Sequence, residues 1–395
     1  MAKKSATGFL DPSWPKYDPI LDLVETPIIA ANILNGGGIS MNSIIEAWGN
    51  SMSGKSTTWY QTGGMFLRQF GSRARILIGD VEASANVLRL DKVFGIGIGW
   101  LENEEGEVQK ADPDVFDAID DRVTLCRAAT VEGLCGRIRT HMARAKKEGT
   151  FLLVIWDSLT ASVPKTEAEE YARAAAEEDE AAAFKGGMML KPRIIRQQLN
   201  AIMADMWFTP VLILIINQAS TKITRFGSSE HSTGGYALKH NAHYRIHFDQ
   251  VKTEKSEDGK VLHTHSTIEF EKSKYSPRVG DIGIYIKDTA GGKLSPKDEA
   301  AWGLYHRGFF NAASGNYKIK EDMRKMFPEG FESELFEKSR KWKAIIADED
   351  GEVERCYRVF LEHDYRSTFS LLDEMYKHKE ERQKKRDAWL AENAA

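Results

Sequence analysis

The chain has 395 residues, of which 42% are hydrophobic, and a formal net charge of −4 at pH 7. This length can hold one large α/β core with a smaller second domain, and the hydrophobic content is ordinary for a soluble globular protein. The slightly acidic charge excludes a general attraction to nucleic acid, so such a contact must come from local cationic segments.

The first motif is a glycine-rich turn between a predicted strand and a predicted helix. An apolar stretch from Ile44 to Trp48 leads into the sequence GNSMSGKS, and a helix is predicted from Thr57. This spacing is typical of a phosphate-binding loop, because glycines let successive backbone N–H groups converge on phosphate oxygens. We expect Lys55 to reach the β- and γ-phosphates of ATP and Ser56 to ligate Mg²⁺. The residues predicted to contact ATP are Gly49, Asn50, Ser51, Met52, Ser53, Gly54, Lys55, Ser56 and Thr57.

Two further apolar strands are predicted to end on acidic residues. Phe151 to Asp157 is a continuous apolar run, typical of a central parallel strand, and it places Asp157 at the carboxyl edge of the sheet, where ligands bind. We therefore expect Asp157 to hold Mg²⁺ through its water shell, with a helix-capping role as the alternative. The run Ile76 to Ser84 carries two acids, of which Glu82 is favoured over Asp80 for positioning the attacking water. The alternative for GNSMSGKS is a chance turn rich in glycine and serine. It is disfavoured because these two acidic strand ends follow the loop in the expected order.

A polar, cationic segment follows the apolar run Val211 to Ile216. That run ends on Asn217–Gln218, and a flexible loop that closes on Thr233–Gly234–Gly235 is predicted to couple nucleotide state to a nucleic-acid contact. We expect one aromatic residue, Phe226, to insert between bases; folding back into a small local core is the alternative. The other predicted DNA-binding residues of this segment are Lys222, Arg225, Gly234 and Gly235.

A second segment with cations at its ends lies between Lys165 and Lys191, although its net charge is acidic. It contains an acidic, alanine-rich run, 167–184, which we interpret as a helical or mobile insert that points away from DNA. The predicted contacts are therefore Lys185, Lys191, Arg193 and Arg196, and a solvated helix face is the alternative for all four.

Together these motifs resemble the RecA family of ATP-dependent strand-exchange recombinases, in order from about Glu25 to Tyr285. The similarity lies in the segments ILNGGGISMNSIIEAWGNSMSGKST, DVEAS, IWDSLTASVPKTE, IINQ with TGGYALK, and EKSKYSPR. It implies an α/β fold: a RecA-like P-loop NTPase core, 25–287, with a mostly parallel central sheet flanked by helices. A short N-terminal arm, 1–24, would contact a neighbouring subunit, and a smaller, mainly helical domain with a charged helical tail would occupy 288–395.

The resemblance also implies roles for individual residues. Glu82 would be the catalytic glutamate and Gln218 the nucleotide-sensing glutamine, while Lys272 and Lys274 would reach across a subunit interface to the neighbour's ATP. Two further residues predicted at that interface are Lys239 and Arg245. The implied protein forms a helical filament on single-stranded DNA, pairs it with double-stranded DNA and hydrolyses ATP with Mg²⁺ in a DNA-stimulated reaction. A hexameric DNA helicase and a regulatory ATP-binding paralogue remain alternatives.

The chain departs from the family pattern at several positions. Arg89 stands where the family places an aromatic residue on adenine, and a guanidinium can also stack on a base. Asn42 replaces a favoured glycine, and asparagine tolerates a positive φ. The C-terminal tail reads as an exposed helix that contacts either duplex DNA or solvent through Lys377, Lys379, Arg382, Lys384, Lys385 and Arg386.

The cysteines and the apolar runs predict the compartment. Cys126, Cys135 and Cys356 form no paired motif, which indicates a reducing environment. The longest apolar runs are too short to span a membrane, so no membrane association and a cytoplasmic location are expected.

Overall fold

The computed structural model describes residues 18, 21–116, 118–176, 190–206, 209–224, 227–232, 235–277, 281–287 and 291–392. The strands of its central sheet are β1 (Ser43–Gly49), β2 (Ala74–Asp80), β3 (Trp100–Asn103), β4 (Val108–Lys110), β5 (Val123–Arg127), β6 (Phe151–Asp157), β7 (Val211–Thr224), β8 (Gly227–Ser232), β9 (Tyr244–Lys255), β10 (Val261–Ser273), β11 (Ile282–Lys287) and β12 (Lys293–Leu294). The helices before the last of these strands are α1 (Ile29–Leu34), α2 (Lys55–Phe70), α3 (Val87–Arg89), α4 (Val131–Glu148), α5 (Lys165–Ala176), α6 (Leu190–Met206) and α7 (Gly235–Asn241).

The central sheet is mostly parallel. Its strand order is β12-β11-β10-β9-β1-β7-β6-β2-β5-β3-β4, with β8 paired to β7, and every neighbouring pair from β9 to β3 is parallel. The middle strands are buried along their whole length, because two hydrophobic clusters cover the two faces of the sheet. The predicted α/β fold with helices on both sides is confirmed. The carboxyl ends of β1, β2, β6 and β7 consequently meet at one edge, which is where ligands bind in such sheets.

The prediction of a flexible loop after Gln218 is wrong for much of that segment. Strand β7 continues to Thr224 and forms an antiparallel hairpin with β8, with Ala219 opposite Ser232 and Thr224 opposite Gly227. The sequence ASTKIT contains the β-branched residues Thr221, Ile223 and Thr224, which suit a strand, although its polarity resembles that of a loop. Residues 225–226 and 233–234 lie outside the described part of the chain.

The C-terminal region combines helices with a small sheet. Its helices are α8 (Pro296–His306), α9 (Glu334–Glu337), α10 (Trp342–Ala347), α11 (Glu352–Thr368) and α12 (Ser370–Glu392). Three short antiparallel strands, β13 (Phe310–Ala313), β14 (Asn316–Ile319) and β15 (Arg340–Lys341), form a second sheet that the sequence did not predict. Apolar side chains of this region join the same hydrophobic cluster that covers one face of the central sheet.

Two ion pairs attach helix α12 to the N-terminal segment, and we call them the terminal clasp. Arg382 Nε donates to Asp18 Oδ2 at 2.9 Å, and Arg386 Nη1 donates to Asp22 Oδ1 at 3.0 Å. Lys379 Nζ donates to the carbonyl oxygen of Gly36 at 3.2 Å. These cations of the predicted tail are therefore engaged within the chain and are not displayed for duplex DNA.

No helix in the described ranges combines the length and the apolar character that crossing a membrane requires.

Candidate functional site

The loop between β1 and α2 has a backbone that only glycine can adopt at two positions. Gly49 has φ 145° and Gly54 has φ 97°. A Cβ at Gly49 would lie 1.9 Å from the carbonyl oxygen of Phe248, and one at Gly54 would lie 2.7 Å from the Cδ1 atom of Ile286. The loop is therefore pressed against β9 and β11, which fixes the start of α2 beside the cavity. The predicted positive φ of Asn42, ahead of β1, is confirmed at 60°.

Lys55 is the first residue of α2, and its ammonium group is turned into the loop. Its Nζ donates to the carbonyl oxygens of Gly49 at 2.9 Å and Asn50 at 2.6 Å, and to Ser53 Oγ at 3.3 Å. Only 7% of Lys55 is exposed. Burial lowers the pKa of its ammonium group to about 8, against the opposing attraction of Asp157 and Glu82. A buried cation that is bonded to neutral oxygens is suited to receive an anion.

Asp157 ends β6 and faces the first turn of α2. It is hydrogen-bonded to the Ser56 side chain, and Tyr60 Oη donates to its Oδ2 atom at 3.1 Å. Burial raises the pKa of Asp157 to about 6, although both hydrogen bonds favour the ionised form. A hydroxyl and a carboxylate in contact beside a phosphate loop are the oxygen ligands that Mg²⁺ prefers.

Glu82 is the acid that faces the cavity, whereas Asp80 is bound to the backbone. The Oδ1 atom of Asp80 accepts hydrogen bonds from Ser84 N at 3.0 Å and Ala85 N at 3.3 Å. The Oε1 atom of Glu82 accepts from Gln218 Nε2 at 3.2 Å and from the hydroxyl group of Ser158. The geometry thus favours Glu82 over Asp80 as the group that positions water.

Arg89, the residue at the predicted adenine position, is held by hydrogen bonds on several sides. Its Nε donates to the carbonyl oxygen of Gly291 at 3.1 Å, and its Nη2 donates to that of Gly292 at 2.9 Å. Nη2 also donates to Thr57 Oγ1 at 3.0 Å. Its guanidinium carbon lies 5.1 Å from the centre of the Phe94 ring. Arg89 therefore joins the segment after β11 to the start of α2.

These groups surround one cavity of about 510 Å³. Its lining is Ser51, Met52, Gly54, Lys55, Ser56, Thr57, Glu82, Arg89, Asp157, Ile216, Gln218, Thr264, Ile286, Gly291 and Gly292. The cavity size is within the range of small-molecule sites. The residues fit a Mg²⁺–nucleotide complex: a cradle without room for a Cβ, a buried lysine, and a paired serine and aspartate. The roles of these residues stay predictions.

The residues predicted at a subunit interface lie elsewhere. Lys272 and Lys274 are not among the described residues that line the cavity. Lys272 Nζ donates to the carbonyl oxygens of Lys239 at 2.7 Å and His240 at 2.9 Å, so it caps the C-terminal end of α7. Lys274 is exposed. Arg245 is almost buried and forms ion pairs within the chain, which are described below.

The residues predicted to bind DNA fall into three groups: exposed residues, residues with a structural position or contact, and residues outside the described part of the chain. Arg193 and Arg196 are exposed and lie three residues apart on α6, hence on one helix face. Lys191 is partly buried, and its Nζ donates to the carbonyl oxygen of Thr160 at 2.8 Å. Gly235 begins α7 and Lys222 lies on β7. The predictions for Lys185, Arg225, Phe226, Gly234 and the side chain of Lys222 fall outside what the structure describes.

Sequence reasoning missed several groups at the site. Tyr60 lies one helical turn after Ser56, and that spacing could have identified it as a partner of Asp157. Gly291, Gly292 and Ile286 reach the cavity from a segment more than two hundred residues away, and only the fold brings them there.

Two comparisons with known proteins agree with this geometry. Residues 140–291 match the family model described as the RecA N-terminal domain. The chain is also similar to the protein named RecA from Bordetella avium (strain 197N), with 25% identity over 337 residues, which is 83% of this chain and 84% of the relative.

Proposed function

We propose that this chain is an ATP-dependent recombinase and a divergent member of the RecA family, which the match of residues 140–291 and the 25% identity over 83% of the chain support. In this proposal it assembles on single-stranded DNA, pairs that strand with homologous duplex DNA and exchanges strands, with ATP hydrolysis stimulated by DNA. The proposed organisation is an N-terminal arm over 1–24, an ATPase core over 25–287 and a C-terminal domain over 288–395, in the cytoplasm.

One observation carries the proposal: Gln218, one of the two described side chains that donate to Glu82, belongs to the strand that forms the hairpin. Gln218 Nε2 lies 3.2 Å from Glu82 Oε1, inside the cavity. From the next residue onward, β7 pairs with β8. A change beside Glu82 would thereby be transmitted directly into the hairpin segment, whose sequence carries the cations Lys222 and Arg225. This is the connection that nucleotide-controlled DNA binding requires.

The chain's own residues supply binding and orientation. The backbone N–H groups between Gly49 and Ser56 would bind the phosphate oxygens, and Lys55 would leave its carbonyl partners for the β- and γ-phosphates. Ser56 and Asp157 would hold Mg²⁺, which supplies charge neutralisation on those phosphates. Glu82 would orient a water molecule in line with the γ-phosphate, while Gln218 senses its presence.

Subunit contacts would complete the site. Lys272 and Lys274 lie apart from the chain's own cavity, which suits a role at the ATP of a neighbouring subunit. Such a head-to-tail interface extends into an open helix when its rotation does not close. The exposed cations Arg193 and Arg196 on α6 would then bind the DNA backbone without reading its sequence, together with the cationic residues in the sequence of the β7–β8 segment.

The test is ATP hydrolysis with and without single-stranded DNA over a range of protein concentrations. We expect strong stimulation that rises cooperatively with concentration, because each site is completed by a neighbour on DNA. Turnover that ignores DNA would contradict the proposal. Electron microscopy with ATP and single strands would show open filaments; closed rings would favour the helicase. A strand-exchange assay separates a recombinase from a regulatory paralogue, which would bind ATP and DNA without exchanging strands.

A further inference from the structure

Glu46 is a carboxylate at the centre of the sheet that binds partners on two different strands. It lies on β1, between β7 and β9, and none of its surface is exposed. Its Oε1 atom accepts a hydrogen bond from Asn217 Nδ2 at 2.9 Å, and its Oε2 atom accepts one from Arg245 Nε at 2.6 Å. Because a buried carboxylate is costly unless its oxygens are paired, this contact ties the three side chains together.

On one side, the contact leads to the nucleotide cavity. Asn217 precedes Gln218, whose side chain donates to Glu82. Asn217 Oδ1 also accepts from Thr160 Oγ1 at 2.8 Å, and the same hydroxyl oxygen accepts from Gln218 N at 3.1 Å. The Asn217 amide and the Gln218 backbone are therefore fixed by common neighbours, so a displacement of Gln218 towards a phosphate strains the bond from Asn217 to Glu46.

On the other side, the contact leads to the hairpin. Arg245 Nη2 donates to Ser232 Oγ at 3.2 Å, and Ser232 is the last residue of β8. Arg245 Nη1 forms a second ion pair with Glu271 Oε2 at 2.8 Å, and that carboxylate also accepts from Trp48 Nε1 at 3.0 Å. The guanidinium group is thus oriented from three directions, and it reaches the end of β8 that lies next to α7.

A shorter branch leads to the other predicted DNA-binding segment. Lys191, near the start of α6, donates to the carbonyl oxygen of Thr160, whose hydroxyl group contacts Asn217. Asn217 therefore has hydrogen-bonded connections to the base of both segments predicted to bind DNA.

We propose that Glu46 is a positioning residue that couples the state of the nucleotide cavity to the conformation of the β7–β8 hairpin, through Asn217 on one side and Arg245 on the other. Its two oxygens accept from two donors at once, one on β7 and one on β9. The DNA part of this inference rests on the proposed function; the coupling of the cavity to the hairpin does not.

The chain offers a matched pair of variants. Glu46→Gln keeps the size of the side chain but has one acceptor oxygen, so its amide nitrogen opposes either Asn217 Nδ2 or Arg245 Nε. Glu271→Gln makes the same chemical change at the other carboxylate bound to Arg245. Glu271 is 27% exposed and lies outside the connection through Asn217. If a weaker hold on Arg245 is enough to alter the hairpin response, both variants lose that response. If the connection from Asn217 through Glu46 to Arg245 is needed, only Glu46→Gln loses it.

The first readout is hydrogen exchange in the β7–β8 hairpin with and without a Mg²⁺-bound, non-hydrolysable ATP analogue. We expect the analogue to change hairpin protection in the wild type and in Glu271→Gln, but not in Glu46→Gln, with similar affinity for the analogue in all three. The second readout is the ratio of ATP hydrolysis with and without single-stranded DNA. This ratio falls by about tenfold in Glu46→Gln and by less than about twofold in Glu271→Gln.

A hairpin response that survives in Glu46→Gln overturns the inference, as does one that both variants lose equally. A wild-type hairpin response without DNA stimulation leaves the coupling intact and contradicts only the proposed function. If Glu46→Gln does not fold, Ser232→Ala tests the same connection at its far end, since it removes only the contact to Arg245 Nη2. We expect a smaller loss in the same direction, and an unchanged response in Ser232→Ala then overturns the inference.

Discussion

The cavity beside the loop between β1 and α2 and the terminal clasp both gather charged side chains from distant segments, but they satisfy those charges differently. In the clasp, Arg382 and Arg386 each bind a carboxylate of the N-terminal segment, so every charge has an opposite charge within the chain. In the cavity, Lys55 is bonded to carbonyl and hydroxyl oxygens, and Asp157 accepts from hydroxyl groups. The charges of the clasp are neutralised by each other. The hydrogen-bond partners of Lys55 and Asp157 are neutral, so a ligand could supply the opposite charges.

The pKa values express this difference. Burial lowers the pKa of Lys55 to about 8 and raises that of Asp157 to about 6, so each charged form is disfavoured where it lies. A bound phosphate would stabilise the ammonium group and a bound cation would stabilise the carboxylate. A site of this kind trades stability for binding, whereas an ion pair at a surface contributes modestly to the fold alone.

The strongest test of the comparison is Lys55→Ala. Because Lys55 is a buried cation bonded to the loop itself, we expect ATP hydrolysis to fall by about 10³-fold, with the fold retained. The matched control is Lys92→Ala, which removes a largely exposed lysine paired with Asp91. Steady-state kinetics and a melting curve of each variant suffice. Equal losses in the two variants would show that the position of Lys55 carries no special function.

Glu82→Gln should separate hydrolysis from nucleotide binding. We expect turnover to fall by about 10²-fold while nucleotide affinity is retained, because the amide can bond to Gln218 but cannot accept a proton from water. Asp80→Asn is the control, since Asp80 stabilises the following turn and should affect melting more than turnover. A larger kinetic loss in Asp80→Asn would reverse the assignment of the two acids.

Glu299 is a buried carboxylate outside the lining of the cavity, and its raised pKa predicts a pH-dependent stability. This buried carboxylate accepts hydrogen bonds from Ile29 N at 2.8 Å and Ala30 N at 2.9 Å at the start of α1, and burial raises its pKa to about 7. Since the folded pKa exceeds the unfolded value, its contribution to stability is fully present below about pH 4.3 and is lost as pH rises through about 7.

We therefore expect the wild type to lose on the order of 2 kcal/mol of unfolding free energy, relative to Glu299→Gln, between about pH 5 and pH 8. Asp350→Asn is the control with the opposite sign, because Arg340 holds the pKa of Asp350 at about 2 and its difference from the wild type should stay constant in that window. Urea unfolding at several pH values measures both. A difference for Glu299→Gln that is independent of pH would show that Glu299 titrates normally.

The cavity should give hydrolysis a bell-shaped pH dependence. We expect kcat/KM at limiting Mg²⁺ to fall about tenfold per pH unit below about pH 6, where Asp157 becomes protonated, and above about pH 8, where Lys55 becomes neutral. Tyr60→Phe removes a hydrogen bond that favours the ionised Asp157, so the acidic limb should move towards neutral pH. An acidic limb that stays in place would assign it to another group.

The smallest effect is expected from the clasp. Arg382→Ala combined with Arg386→Ala should lower the free energy of unfolding by about 1 kcal/mol and leave nucleotide affinity unchanged. The control is Lys384→Ala with Lys385→Ala, on the same helix. If the first pair instead weakens binding to duplex DNA and leaves melting unchanged, the tail has a function beyond attachment to the N-terminal segment.

The sequence predicted the parts of the molecule whose chemistry is local. The phosphate loop lies within eight consecutive residues, and the apolar strands that end on Asp157 and Asn217 are continuous runs, so spacing and periodicity alone place them at one edge of a sheet. The hairpin was missed because residues such as Ser220 and Thr221 are polar, and a strand at the margin of a sheet needs few apolar side chains.

Partners that are distant in sequence could not be predicted. Arg382 and Asp18 are 364 residues apart, and neither charge indicates the other. Arg89 was interpreted as a base-stacking residue, yet its bonds to Gly291 and Gly292 depend on how the chain returns after β11. The role of Glu46 could not be predicted either. In the sequence it is a single polar residue within an apolar stretch, and no local pattern shows that Asn217 and Arg245 lie on either side of it.

The crowding around the phosphate loop has a consequence for how this gene tolerates change. A randomised library of positions 49–54 should return, after selection for function, glycine at 49 and 54 in every survivor, since the carbonyl oxygen of Phe248 and the side chain of Ile286 occupy the space of a Cβ. Position 52 should vary, because Met52 is 80% exposed. The restriction at position 49 comes from a backbone atom of β9, which no single mutation can remove.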